Sequence, residues 1–153
     1  MKELFDVHCH MVPGVDDGAA DLEESLAMLK MQHEDGVRKI IITPHYRRRM
    51  FETPAKKVHE QFLKLQEAAK KEYPDMSLYL GCELHSNMDL QDILEKRKYV
   101  TMAGSSYVLL EFSEGDSAQH IRERVYNVLS CGYEPIIAVS YTHLRAHETS
   151  AHL

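Results

Sequence analysis

Five short apolar runs, rich in β-branched and aromatic residues, recur along the chain at 4–9 ("LFDVHC"), 39–43 ("KIIIT"), 78–84 ("LYLGCEL"), 107–112 ("YVLLEF") and 135–139 ("PIIAV"). Most are apolar throughout rather than alternating. That pattern belongs to strands covered on both faces, which in a globular protein means a mostly parallel sheet wrapped by helices. The segments between the runs carry helix signals. Asp21 with Glu24 forms a capping box ahead of "LAMLKMQHEDG", with Gly36 as its stop; Thr53-Pro54 is a cap followed by proline at the first helical position, with Pro74 as the end. A further helix is expected from about 117 to 131, stopped by Gly132. The class is α/β, either a barrel or a doubly wound sheet.

Composition narrows the functional classes. The 153 residues are the length of one ordinary domain and 44% are apolar, enough for a core. A net charge of -6 with mixed signs offers no basic face for a phosphate backbone, so no nucleic acid partner is expected. No apolar stretch approaches the roughly 20 residues of a membrane span. Met1-Lys2-Glu3 runs directly into a strand rather than a signal-peptide core, and the expected location is the cytoplasm. Cys9, Cys82 and Cys131 are an odd number with no short pairing pattern, which suits a reducing compartment. Ten histidines are the compositional oddity, and they direct attention to metal chemistry.

In a parallel α/β fold the loops after the C-terminal strand ends gather on one face, where such folds place their chemistry. After the first run come His8 and His10, then Asp16 and Asp17; after the second comes "TPHYRRR" with His45; the third ends with Glu83 and the fourth with Glu111. Residues two apart on a strand share a face, so His8 and His10 can reach one ion together. A carboxylate such as Glu83 can bridge two ions in a hydrolytic site. Singly, each has an ordinary explanation: His45 as a structural histidine, Asp16 and Asp17 as turn residues before Gly18. Glu83 and Glu111 resist that explanation, because a carboxylate at the end of an apolar strand tolerates burial only when paired or bound to metal.

The combination of H-x-H after the first strand, "VPGVDDGAADLEESL", "TPHY" followed by "MFETP", "GCEL" and "LLEFS" resembles the bacterial tyrosine-protein phosphatases of capsular and exopolysaccharide biosynthesis, within the polymerase-and-histidinol-phosphatase (PHP) superfamily. The resemblance runs from about residue 3 to residue 138. It implies a distorted (β/α)7 barrel, of which about the first five strands are here, and a centre of up to three divalent ions, often manganese. It implies that His8 and His10 bind the first ion, that Glu83 bridges the first and second, that Glu111 completes part of the second site, and that Asp17 and His45 hold the third. Asp16 then becomes a turn residue or a supporting group, and Asp6 a residue that orients a ligand. Arg47 to Arg49 lie beside the site; Arg47 and Arg48 are candidates for binding substrate phosphate, with a solvated loop as the equal alternative.

The chemistry implied is metal-assisted hydrolysis of a phosphate monoester, in which divalent cations activate water and neutralise the phosphoryl oxygens. The implied substrate is the phosphotyrosine-bearing tail of a bacterial tyrosine kinase that controls polysaccharide export. No cysteine nucleophile is required. Cys9 points away from its histidine neighbours as a buried hydrophobe, and no C-x5-R phosphate loop surrounds Cys82 or Cys131.

The resemblance breaks at Val139, where the family has a histidine opening an H-x-E-R-Y motif. The family's later Asp-x-His is absent too, and a full barrel takes about 250 residues. Residues 1–138 therefore read as the N-terminal part of a phosphatase domain. Residues 139–153, "VSYTHLRAHETSAHL", read as a non-native tail resembling translated sequencing-adapter DNA. His143 and His147 there are four apart and would share a helix face, but the segment lacks an apolar helical face. The fragment itself is expected to be inactive. The alternatives are a PHP small-molecule phosphatase, such as a histidinol-phosphate phosphatase, and a non-catalytic metal- or peptide-binding module.

Overall fold

The computed structural model describes residues 3–96 and 100–138. Its elements are β1 (Leu4–Asp6), α1 (Leu22–Glu34), β2 (Val37–Ile42), β3 (His45–Tyr46), α2 (Ala55–Glu72), β4 (Ser77–Leu80), β5 (Glu83–His85), α3 (Leu90–Lys96), a 3-10 turn at Met102–Gly104, β6 (Tyr107–Glu111), α4 (Ala118–Ser130) and β7 (Glu134–Ala138). All strand pairs are parallel, in two sheets ordered β1-β2-β4 and β3-β5-β6-β7.

The two sheets are two stretches of one wall. β2 and β3 are one row interrupted at Thr43-Pro44, and β4 and β5 one row interrupted at Gly81-Cys82. Across the interruptions Gly81 N–H donates to the Ile42 carbonyl (2.8 Å) and Glu83 N–H to that of Pro44 (3.0 Å). The five expected runs are thus five rows whose order follows the chain, and the α/β class with parallel strands is as expected.

The breaks correct the expected boundaries, and each has a cause. The first strand stops at Asp6 rather than Cys9, because the Asp6 carboxylate accepts the His8 N–H (3.0 Å) and turns the backbone out of the ladder. The second row stops before Pro44, which has no N–H to offer. The third breaks at Gly81, where a Cβ would lie 3.0 Å from Met102 Sδ and 3.1 Å from Ile41 Cγ2. The last strand is described to Ala138; Val139 and the His143/His147 pair lie outside the described residues.

Helix boundaries follow their signals with small shifts. Asp21 accepts the Glu24 N–H (2.9 Å), while the Glu24 carboxylate reaches back to the N–H of Ala20 (2.7 Å), one residue beyond the usual capping box. Pro54 is the cap of α2 rather than its first helical residue, and Thr53 Oγ1 instead donates to the Val15 carbonyl (2.8 Å), tying two site loops together. Ser117 caps α4. Helix α3 was not foreseen from the sequence.

Two cores lie between the wall and its helices. Val58, Phe62, Leu65 and Ala69 form one stripe of α2 and pack with Leu29 of α1 over Ile40, Ile42, Leu78 and Leu80. Leu84, Val108 and Leu110 meet Ile93 of α3 and Val128 of α4. Full burial of a side chain such as Leu65 contributes about 1.5–3 kcal/mol. Side chains alternate along a strand, so packing these residues toward the helices turns His45, Glu83, His85 and Glu111 to the opposite face.

Candidate metal centre

Four of the five rows of the wall bring ligands to the site. In register, His45 of β3 lies opposite Glu83 of β5, and Glu111 of β6 lies opposite His85, two residues beyond Glu83. His8 and His10 arrive on the extended segment after β1, beyond the strand on which the sequence placed them. That segment is held by Cys9, whose carbonyl accepts the Thr43 N–H (2.8 Å) and whose own N–H donates to Thr43 Oγ1 (3.2 Å). Cys9 points the other way into the core, and burial pushes its thiol pKa far up, so it is no nucleophile.

Glu83 is the hub. Its Oε2 lies 2.9 Å from His8 Nε2, 3.1 Å from His10 Nε2 and 3.3 Å from His45 Nδ1. His45 Nδ1 is also 3.5 Å from Glu111 Oε2, and its Nε2 is 3.5 Å from Asp17 Oδ1. The six residues named from the sequence thus come together as three overlapping triads: His8–His10–Glu83, His10–Asp17–His45 and His45–Glu83–Glu111. In each, the ligand atoms lie within 4.8 Å of one another.

Proximity alone does not make these contacts hydrogen bonds. His8 Nε2, His45 Nδ1, Glu83 Oε2 and Glu111 Oε2 are buried, yet none has a hydrogen-bond partner among the described residues. Buried polar atoms left this way are costly, and a native fold retains them for a reason. Imidazole and carboxylate donors converging on shared points are the ligand set of divalent transition-metal sites, and cations seated in the His8–His10–Glu83 and His45–Glu83–Glu111 triads would satisfy the orphaned atoms. The residues fit the metal that the sequence implied.

Asp16 shapes this arrangement from behind. Its carboxylate, fully shielded from solvent, takes the His10 Nδ1 at 3.0 Å, the His45 N–H at 2.8 Å and the Gly18 N–H at 3.0 Å. A proton on His10 Nδ1 leaves Nε2 as a lone pair facing Glu83, where a cation or a second proton must sit. Burial opposes a second proton on His10, but Asp16 and Glu83 raise its pKa to about 10. Likewise burial pushes the Glu83 carboxyl up, and the imidazoles of His10 and His8 bring it down to about 2. Gly18 completes the turn by close approach, since a Cβ there would fall 2.1 Å from the His10 carbonyl oxygen.

The family model for capsular polysaccharide synthesis, CpsB/CapC, matches residues 4–152. The chain belongs to this family. CpsB of Streptococcus pneumoniae, a tyrosine-protein phosphatase, is 40% identical over 135 residues, which cover 88% of this chain and 56% of that one. YwqE of Bacillus subtilis, also a tyrosine-protein phosphatase, is 29% identical over 135 residues and is covered to 53%. A crystal structure from work on YwqE and CpsB, metal-dependent tyrosine phosphatases, superposes with a TM-score of 0.78 at 28% identity, covering 88% of this chain and 54% of that one. The chain spans about half the length of the curated relatives it matches.

In this CpsB/CapC chain the residues around the six candidate ligands divide clearly. Asp6 acts on His8 through the backbone rather than the ring, and its other oxygen accepts from Gln32 Nε2 (2.7 Å). Arg47 reaches the cluster, with Nη1 3.8 Å from Glu111 Oε1. Arg48 is exposed at the rim, its N–H on Met88 Sδ at 3.1 Å. No helix among the described residues is long and apolar enough to cross a membrane.

A neighbouring polar network was missed from the sequence. Buried His85 accepts the Asn87 N–H at Nδ1 (3.1 Å) and donates from Nε2 to Ser113 Oγ (3.0 Å). Asp116 Oδ2 accepts from Ser113 N–H (2.7 Å) and Ser86 Oγ (3.3 Å), and Ser86 N–H donates to the Glu111 carbonyl (2.8 Å). These bonds clamp the end of β6, and so Glu111, against β5. The available signal was the two-residue spacing of Glu83 and His85, which puts both on the site face.

Proposed function

We propose that this chain carries the first part of a metal-dependent protein tyrosine phosphatase, with manganese held by His8, His10, Asp17, His45, Glu83 and Glu111. Its substrate is the phosphotyrosine-bearing tail of a bacterial tyrosine kinase that controls capsule or exopolysaccharide synthesis, in the cytoplasm. The observation that carries the reading is the set of four buried, unpartnered ligand atoms converging around Glu83 Oε2. The phosphatase names of the relatives support the reaction class.

When bound, divalent cations supply an activated water and neutralise phosphoryl charge. The chain's own residues do the rest. Glu83 holds His8, His10 and His45 in one cluster, Asp16 fixes the His10 tautomer so that Nε2 faces inward, and Arg47 offers a guanidinium fork to a phosphoryl oxygen at the rim. We also propose that the native domain sequence here is residues 1–138. The 15 residues 139–153, which open with Val139 where the resemblance expects a histidine, are then foreign to it.

Two measurements test this. Manganese titration of the 153-residue chain, followed by calorimetry, is expected to show binding that alanine at Glu83 removes. Hydrolysis is then compared on a phosphotyrosine peptide and on histidinol phosphate, using the chain extended to the full length of its relatives. Preference for histidinol phosphate would move the assignment to a small-molecule phosphatase. Because the chain spans about half of its relatives, a metal- or peptide-binding role without turnover is the second reading. Manganese-dependent turnover of p-nitrophenyl phosphate by the 153 residues alone would exclude it.

A further inference from the structure

The segment between β3 and α2 carries a feature that metal binding leaves unexplained. Phe51 lies nearly parallel to the His45 ring, with centroids 5.1 Å apart and 16° between planes, and His45 in turn stacks on His10 at 4.3 Å. Phe51 belongs to neither hydrophobic core and is only partly buried. An aromatic ring placed outside both cores, against a candidate ligand, is not there to fill the interior.

The backbone holds this ring in a fixed place beside a charge. Arg47 N–H donates to the Phe51 carbonyl (2.9 Å), and Phe51 N–H donates to that of Arg47 (2.8 Å), an isolated antiparallel bridge. The loop it closes turns at Arg49, whose φ of +66° is the left-handed region, and whose N–H is accepted by Glu52 (3.1 Å). One end of the bridge therefore sends a guanidinium toward Glu111, and the other sets a ring beside His45. Such a pair is organised before any ligand arrives.

We propose that Phe51 is a specificity-determining residue, the aromatic wall of a subsite that selects aryl over alkyl phosphate esters. This rests on the phosphatase reading above. A phosphoryl group at the cluster leaves its ester oxygen pointing to the rim, and the ring of an aryl ester begins one bond further out. Phe51 borders the cluster through its stack on His45, and Arg47 Nη1 lies beside it, 3.8 Å from Glu111. An offset or edge-on contact between the rings adds to binding of an aryl ester and gives nothing to an alkyl one.

The test uses non-hydrolysable probes on the manganese-loaded 153-residue chain: phenylphosphonate against methylphosphonate, by calorimetry. The expected result is tighter binding of phenylphosphonate by about 2- to 12-fold, the range for one aromatic pair. Phe51→Leu, which keeps apolar bulk, brings the ratio to one while methylphosphonate affinity stays within about twofold, and Phe51→Tyr restores the preference. An unchanged ratio in Phe51→Leu, or an equal loss for both probes, overturns the subsite and leaves Phe51 as a plate that packs His45. Absence of phenylphosphonate binding in the unaltered manganese-loaded chain also overturns the subsite, whereas the phosphatase reading stands or falls separately, on hydrolysis by the extended chain.

Discussion

His33 and His10 each lie 3.0 Å from an aspartate, and the two pairs are built for opposite purposes. At the end of α1, Asp75 accepts from His33 Nε2 and from Arg38 Nε (2.9 Å), and its side chain is 52% exposed. Every partner there is satisfied and water screens the charges. At the rim the Asp16 side chain is wholly buried, and the far nitrogen of His10 lies 3.1 Å from Oε2 of a second carboxylate, Glu83, which is left without a hydrogen-bond partner. Histidine and carboxylate are therefore not by themselves a metal signal; what marks a site is burial combined with donors left unpaired. The first cluster is complete as it stands, whereas the second leaves ligand atoms open to a cation.

The contrast can be broken most directly at its centre. Glu83→Gln removes the charge shared by three imidazoles, and manganese affinity measured by calorimetry is expected to fall on the order of 100-fold or more, above the range for groups that only support ligands. Retention of affinity would mean that the converging atoms do not hold metal. Asp16→Asn comes next. It keeps the shape of the turn but weakens the hold on the His10 proton, and a 10- to 100-fold loss of affinity is expected, roughly the effect of losing such a supporting partner.

Stability against pH gives a subtler separation, in metal-free protein. Glu83, lowered to about 2, contributes stability that is present above its ordinary 4.5 and lost as pH falls toward 2. His10, raised to about 10, contributes stability fully present below 6.5 and lost as pH rises through 10. Urea midpoints should therefore decline on both sides, and Asp16→Asn should flatten the alkaline limb. A flat alkaline limb in the unaltered chain would show that His10 carries no such proton. Asp75→Asn has the smallest expected effect: manganese affinity unchanged, and only a slight fall in Tm that high salt abolishes. A metal defect in that variant would erase the distinction between the two clusters.

Much of the site was legible because strand geometry is periodic. Histidines and acids following apolar runs had to gather on one rim, which picks out His8, His10, His45, Glu83, Glu111 and the Asp16/Asp17 pair; the choice of Asp17 as a ligand rested on the family resemblance. Asp16 was legible only as a supporting group, since nothing in "VDDG" tells which aspartate turns inward; the distinction rests on three hydrogen bonds to residues up to 29 positions away. The interruption at Gly81-Cys82 escaped notice because the apolar run continues across it, and the resumption of the second row at His45–Tyr46 because polar residues follow Thr43. His85 and Phe51 escaped because one looks like a spare histidine and the other like a loop hydrophobe.

The sequence by itself determined the α/β class, the five rows, the Asp21 cap of α1 and the residue types brought to the rim, all of which follow from local pattern and from burial of apolar side chains. Only the tertiary structure decided which lone pairs face one another. Hydrogen bonding is directional and burial is a property of the whole packed wall, so the unpartnered atoms around Glu83 exist only once four distant segments are brought together.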